Sequence, residues 1–206
     1  MAGYEERLQK DLHRIGKRVR KMGKAVTSAL EASVKSALTR DAELATETIL
    51  GDLPTNRIST DLDHRCHVFV ARHLPSAGHL RYISAVMRVN QTLERIGDYA
   101  ETISRAALSL SGRAPASIQR DIEMMGEQAQ KLLTQAIRSF EEKDVDLAKG
   151  THQAIAGFGT TFDRVFSDLV KEGEEGPRPV ADLFSFMAIF NRLERVLHQS
   201  KNICQQ

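Results

Sequence analysis

The sequence has no tryptophan, two cysteines, five prolines and only 5% aromatic residues. Its cysteines, Cys66 and Cys204, lie far apart, which excludes a disulfide framework and agrees with a reducing compartment. No stretch approaches the roughly 20 consecutive apolar residues that a membrane-spanning helix needs. The amino terminus, MAGYEERLQK, is charged at once and carries no apolar signal region, so a cytoplasmic location is expected. No run alternates apolar and polar residues for long enough to make a sheet. A glycine-rich phosphate loop, a Gly-x-Ser-x-Gly elbow and a cysteine motif with placed partners are also missing, and the chain is not expected to be an enzyme.

What is present is helical patterning in a chain of ordinary globular composition, 41% hydrophobic and 27% charged over 206 residues. Leu8, Leu12, Ile15, Val19, Met22, Val26, Ala29, Ser33 and Ala37 recur at steps of four and three, the signature of a long bundle helix. A second helical segment runs from about Asp41 to Arg72, where Pro54 should kink or interrupt it. HLPSAGH at 73–79 is turn chemistry. From Leu80 the register returns through Val86, Val89, Leu93, Ile96, Ala100, Ile103, Ala107 and Leu110, and Gly112 and Pro115 stop it.

The plan then repeats. IQRDIEMMGEQAQKLLTQAIRSFEEKD is a long amphipathic segment, a second runs from about Val145 to Glu172, and GEEGPRP precedes a third. LERIGDYAETI at 93–103 recurs as LERVLHQSKNI at 193–203, and RDAELA at 40–45 recurs as KDVDLA at 143–148. The expected fold is all-α, six long helices forming two similar three-helix bundles, over residues 1–112 and 113–206.

Within LERIGDYAETI, Asn90, Glu94, Asp98 and Glu101 form a polar stripe beside the apolar seam, because residues four apart on a helix lie one above the other. Three carboxylates so placed repel one another. Arg95 or Arg105 would offset that repulsion, and a divalent or trivalent cation would turn it into a site for hard oxygen ligands. Gly97 costs about 1 kcal/mol relative to alanine inside a helix, which points to a close approach at that position. Spacing alone favours a solvated helix face over a metal site.

LERIGDYAETI resembles the signature helix of the PhoU family of phosphate-uptake regulators, whose repeats end in a Leu-Glu-Arg-Ile-Gly-Asp type motif. RDAELA, DLPTNRI and RHLPSAGHLR agree with it, and the likeness covers nearly the whole chain. It implies a pair of three-helix bundles, no catalysis, and a cytoplasmic role linking a phosphate-transporter ATPase to a sensor histidine kinase, peripheral to the membrane through those partners. A homodimer is compatible with it. The competing reading is a structural or regulatory helical module of a longer polypeptide with no metal or phosphate role.

The family also binds metal clusters through Glu or Asp followed four residues later by Asp. On this chain that pattern falls on Glu94 and Asp98, with Glu101 beside them and Asp52 in the second helix. The implied metal is iron, zinc, manganese or magnesium. Asn56 departs from the pattern as a neutral amide, and Pro54 stands between it and Asp52. In the second repeat the stripe becomes Phe190, Glu194, Leu197, His198 and Lys201. Glu194 and His198 offer one oxygen and one nitrogen four residues apart, which hold a transition metal only with further ligands.

Three other features stand out. DHRCH at 63–67 gathers Asp63, His64, Cys66 and His67; a cluster without a ligand is the default reading, and a zinc site would use His64 and His67 on one helix face with Cys66 pointing elsewhere. The first helix is basic, with Lys17, Arg18 and Lys21 as candidate partner contacts for an acidic protein or an anionic surface. Nucleic acid is not expected, since no recognition motif or aromatic stacking platform accompanies the charge. Seven of eight phenylalanines lie in the second half. Phe158, Phe162 and Phe166 at four-residue steps read as core, whereas Phe190 and Leu197, which replace polar stripe positions, read as a contact between bundles or with a partner.

Overall fold

A computed structural model describes residues 2–175 and 179–206, without the side chains of residues 2, 159–162, 172 and 175. The described chain is helical: α1 (Ala2–Thr39), α2 (Ala42–His73), α3 (Ala77–Ser109), α4 (Ala116–Glu142), α5 (Val145–Ala156), α6 (Gly159–Glu175) and α7 (Val180–Cys204). Seven helices replace the expected six, because the segment from Val145 to Glu172 is split. Gly157 and Phe158 donate to Ala154 and Ile155 three residues back, tightening the end of α5, and Gly157 and Gly159 give the chain little reason to resume the same helix.

Pro54 does not interrupt α2. It sits on the exposed face, where water can take the Leu50 carbonyl that loses its donor. The structure also keeps the repeated turn chemistry. Asp41 and Asp144 cap α2 and α5 by accepting from the backbone N–H of Leu44 and Leu147, each at 2.9 Å. The residues before them, Arg40 and Lys143, both hold the left-handed conformation, at φ 58 and 56. Asp41 N–H then closes on Ser36 O at 3.2 Å and Asp144 N–H on Ser139 O at 2.9 Å, a hydrogen-bonded helix stop used twice.

α1, α2 and α3 pack on one another, and α7 packs on α4, α5 and α6. The two halves meet through α3 against α7 and α1 against α4, so one continuous apolar core runs through the molecule. α2 flanks this centre on one side, α5 and α6 on the other. The α1–α4 crossing is close because glycine is used on both helices: Gly23 lies against Ile137 and Gly126 against Val34. Asp182, 1% exposed at the start of α7, ties the halves further by accepting from Ser111 N–H and Oγ, both at 2.8 Å.

Candidate functional site

The α2–α3 joint is polar where most of the interior is not. Asp52, Thr55, Asn56 and Ser59, three and four residues apart, form a stripe along α2. Opposite them on α3 stand Asn90, Glu94, Asp98 and Glu101. Asn90 Nδ2 donates to Ser59 O at 2.9 Å, and Ser59 Oγ donates to Glu94 Oε2 at 3.0 Å. Asn56 Nδ2 donates to Asp52 Oδ2 at 2.7 Å. The close approach expected at Gly97 is not found: a Cβ there would lie 3.6 Å from Asp52 Oδ1 and 3.8 Å from Thr55 Cγ2, ordinary van der Waals contact that alanine would also make.

The electrostatics follow from this crowding. Burial, then Glu101 and Glu94, push the Asp52 carboxyl above the usual aspartate range, against the Asn56 hydrogen bond, which lowers it. Asp98 is exposed at the edge of the joint, and partial desolvation there, then the charges of Asp52, Glu94 and Glu101, raise its carboxyl. Glu101 is partly neutralised by Arg105, whose Nε and Nη2 reach Oε1 at 2.9 and 2.5 Å. Arg95 is exposed and makes no ion pair among the described residues.

Three buried oxygens in this joint, Asp52 Oδ1, Asn56 Oδ1 and Asn90 Oδ1, have no hydrogen-bond partner among the described residues. Oxygen acceptors without donors, among carboxylates that repel, suit a hard cation. Among the described residues, however, no three Asp, Glu, His or Cys side chains are already gathered as a ligand set.

The second repeat treats the same place differently. Residues 191–201 show the same succession of exposed, half-buried and buried positions as 91–101, yet the stripe positions Asn90 and Gly97 are answered by the apolar Phe190 and Leu197. Phe190, 6% exposed, and Leu197, 2% exposed, are covered by their own chain. The expected partner surface is therefore not at these two residues. Phe190 and Glu194 line a cavity with Val165 and Leu169 of α6, and among the described residues no third metal ligand joins Glu194 and the exposed His198.

What the sequence did not mark is the neighbouring surface. Phe166 is 53% exposed and Phe184 67%, with Val170, Val180 and Met187 also exposed on α6 and α7. Phe166 is thus not core, while Phe158 packs partly buried against the core; Phe162 lies outside the described side chains. Alternating Phe184, Phe186 and Phe190 hid the distinction, since only a helical wheel through α7 puts Phe184 outside.

The remaining candidates separate cleanly. In DHRCH, Cys66 points into the core with its thiol pushed up to about 12 by burial, His67 turns back to Asp63 O, and no zinc ligand set forms among the described residues. On α1, Arg18 is paired with Asp61 of α2 at 3.0 Å, whereas Lys17 and Lys21 are exposed and unpaired among the described residues. The three do not form one free basic patch.

The PhoU domain model matches this chain twice, over residues 19–107 and 122–206. The chain belongs to the PhoU family. It is 28% identical over 189 residues to the phosphate-specific transport system accessory protein PhoU homolog of Aquifex aeolicus, covering 92% of this chain and 86% of that protein. The PhoU of Serratia marcescens is 26% identical over 195 residues, 95% of this chain and 80% of its own length. The crystal structure of PhoU from Pseudomonas aeruginosa superposes with a TM-score of 0.92 at 26% identity, covering 96% of this chain and 95% of that one. PhoU from Streptococcus pneumoniae shares the fold, with a TM-score of 0.86 at 20% identity. These PhoU relatives are phosphate transport accessory proteins by name, and no helix among the described residues is long and apolar enough to cross a membrane.

Proposed function

We propose that the chain is a regulator of phosphate uptake and phosphate-starvation signalling that works in the cytoplasm by binding, touching a transporter ATPase and a sensor kinase rather than catalysing a reaction. The observation that carries this reading is the doubled PhoU match, which extends over both halves of a chain whose relatives are named as transport accessory proteins. Deleting the gene in its own organism should raise phosphate-starvation genes in phosphate-rich medium. Normal repression there rejects the regulatory role.

The α2–α3 joint is the metal site of this reading. Asp52, Glu94, Asp98 and Glu101 would hold a cation with the Asn56 and Asn90 carbonyls, an all-oxygen donor set that favours magnesium, manganese or iron over zinc. The unpartnered oxygens support it. The α6–α7 face is the docking surface, since exposed Phe166, Phe184 and Met187 form the kind of clustered apolar area that marks protein contacts. Its occupant is an apolar face of the transporter ATPase. Self-association through the same face is the alternative outcome, read by co-purification against sedimentation of the protein alone.

A further inference from the structure

A cavity of about 510 Å³ opens at the seam between the two repeats, walled by α3, the end of α4, the α4–α5 turn, α5 and the end of α7. One wall is aromatic. Tyr82 of α3 and Phe140 of α4 stand parallel, 7° apart with centroids 6.2 Å from each other. The rim is cationic: Arg81, Lys143 and Lys149 all line the opening, and none makes an ion pair among the described residues.

Lys143 is held there by the backbone. Its left-handed conformation and the Asp144 N–H to Ser139 O bond fix the turn that brings its Nζ 5.4 Å from the centre of the Tyr82 ring. Asp144 is the one acid of the lining, and its Oδ1 already accepts from Leu147 N–H as the cap of α5. The rim therefore keeps a positive excess beside an apolar floor.

A cavity of this size is within the usual range for organic ligands, about 300–1,000 Å³. An aromatic wall recognises a flat ring, and Lys and Arg recognise phosphate. We propose that this seam is a binding site for a nucleotide-class ligand, its ring against Tyr82 and Phe140 and its phosphates on Lys143, Lys149 and Arg81. Because the walls come from both repeats, such a ligand would bridge them, a role separate from the metal joint on the far flank and independent of the phosphate-signalling reading.

The test is calorimetric titration of the full chain in EDTA with ATP, adenosine and tripolyphosphate, which removes any contribution of a metal held at the acidic joint. ATP should bind, with adenosine and tripolyphosphate each at least about tenfold weaker. Lys143→Glu with Lys149→Glu, and separately Tyr82→Leu, should each weaken ATP at least about tenfold with unchanged helical circular dichroism, while Asp98→Asn leaves it unaltered. No ATP binding up to about 1 mM overturns the proposal. So does tripolyphosphate binding as well as ATP, which would mean a plain anion site, or adenosine binding as well as ATP, which would mean a plain apolar pocket.

Discussion

A Cβ placed on Gly126 of α4 would lie 2.5 Å from Cγ1 of Val34 on α1, and the relation is reciprocal. Gly23 and Val34 of α1 match Gly126 and Ile137 of α4, which lie 103 residues later in each case, and a Cβ at Gly23 would fall 3.0 Å from Ile137 Cγ2. Each first helix thus offers a glycine to the branched side chain of the other. The duplication is written into the contact between the halves as well as into the sequence.

Gly126→Ala should therefore cost stability although alanine is the better helix former by about 1 kcal/mol. Overpacking a stiff β-branched neighbour costs about 1–3 kcal/mol, so a net loss of about 1 kcal/mol is expected in urea unfolding. Adding Val34→Ala should recover part of it, with a coupling of at least about 0.5 kcal/mol. Strict additivity of the two changes would mean that the helices do not meet there.

The acidic joint makes a prediction with a definite sign. Asp52 and Asp98 have raised carboxyls, so ionising them works against the fold. That penalty is complete above the raised folded values and disappears as the pH falls below the ordinary aspartate value of 3.8. Glu94→Gln with Asp98→Asn should stabilise the cation-free protein at pH 7 by a few tenths of a kcal/mol and do nothing in strong acid. Manganese at 100 times its dissociation constant should stabilise the parent by about 2.7 kcal/mol and the double variant not at all. An equal response of both proteins to manganese removes the metal site.

How much of this was legible in the sequence depended on whether one helix or two decided the matter. Glu94, Asp98 and Glu101 needed only the helical period of α3, whereas the helix cost of Gly97 pointed to a close approach that α2 does not make. The oxygens that lack partners could not be read, since they exist only where Asp52 and Asn56 of α2 meet Asn90 of α3. Phe190 and Leu197 left a contact between bundles or with a partner open for the same reason: the apolar exchange is local, but the helices that bury both residues are not. The break at Gly157 and Gly159 was masked because amphipathic periodicity continues across a change in the helix axis. The Arg18 pairing needed Asp61, a residue 43 positions away, beyond any spacing rule.

The apolar face on α6 and α7 can be tested without disturbing the core. Phe166→Glu and Phe184→Glu change exposed positions, so unfolding stability should stay within about 0.5 kcal/mol. Co-purification of the transporter ATPase should fall. Retention of the ATPase by both variants at the parental level would move the docking surface elsewhere on the protein.

The basic helix divides into residues that are free and one that is not. Lys17→Glu with Lys21→Glu should leave stability nearly unchanged and weaken any acidic partner in a salt-dependent way, since exposed charges are screened over about 8 Å at physiological ionic strength. Arg18→Glu is different because Arg18 and Arg65 share Asp61, at 3.0 and 2.8 Å. The Arg65 hydrogen bond first, and Arg18 and Arg65 by charge, hold that carboxyl below the usual range. The stabilisation is present above the ordinary value of 3.8 and is lost as the pH falls through the depressed folded value. Reversing Arg18 should therefore cost up to about 1 kcal/mol at pH 7, the scale of a half-exposed pair, and progressively less in acid. A loss that persists unchanged in strong acid would come from packing of the Arg18 side chain and not from its pairing with Asp61.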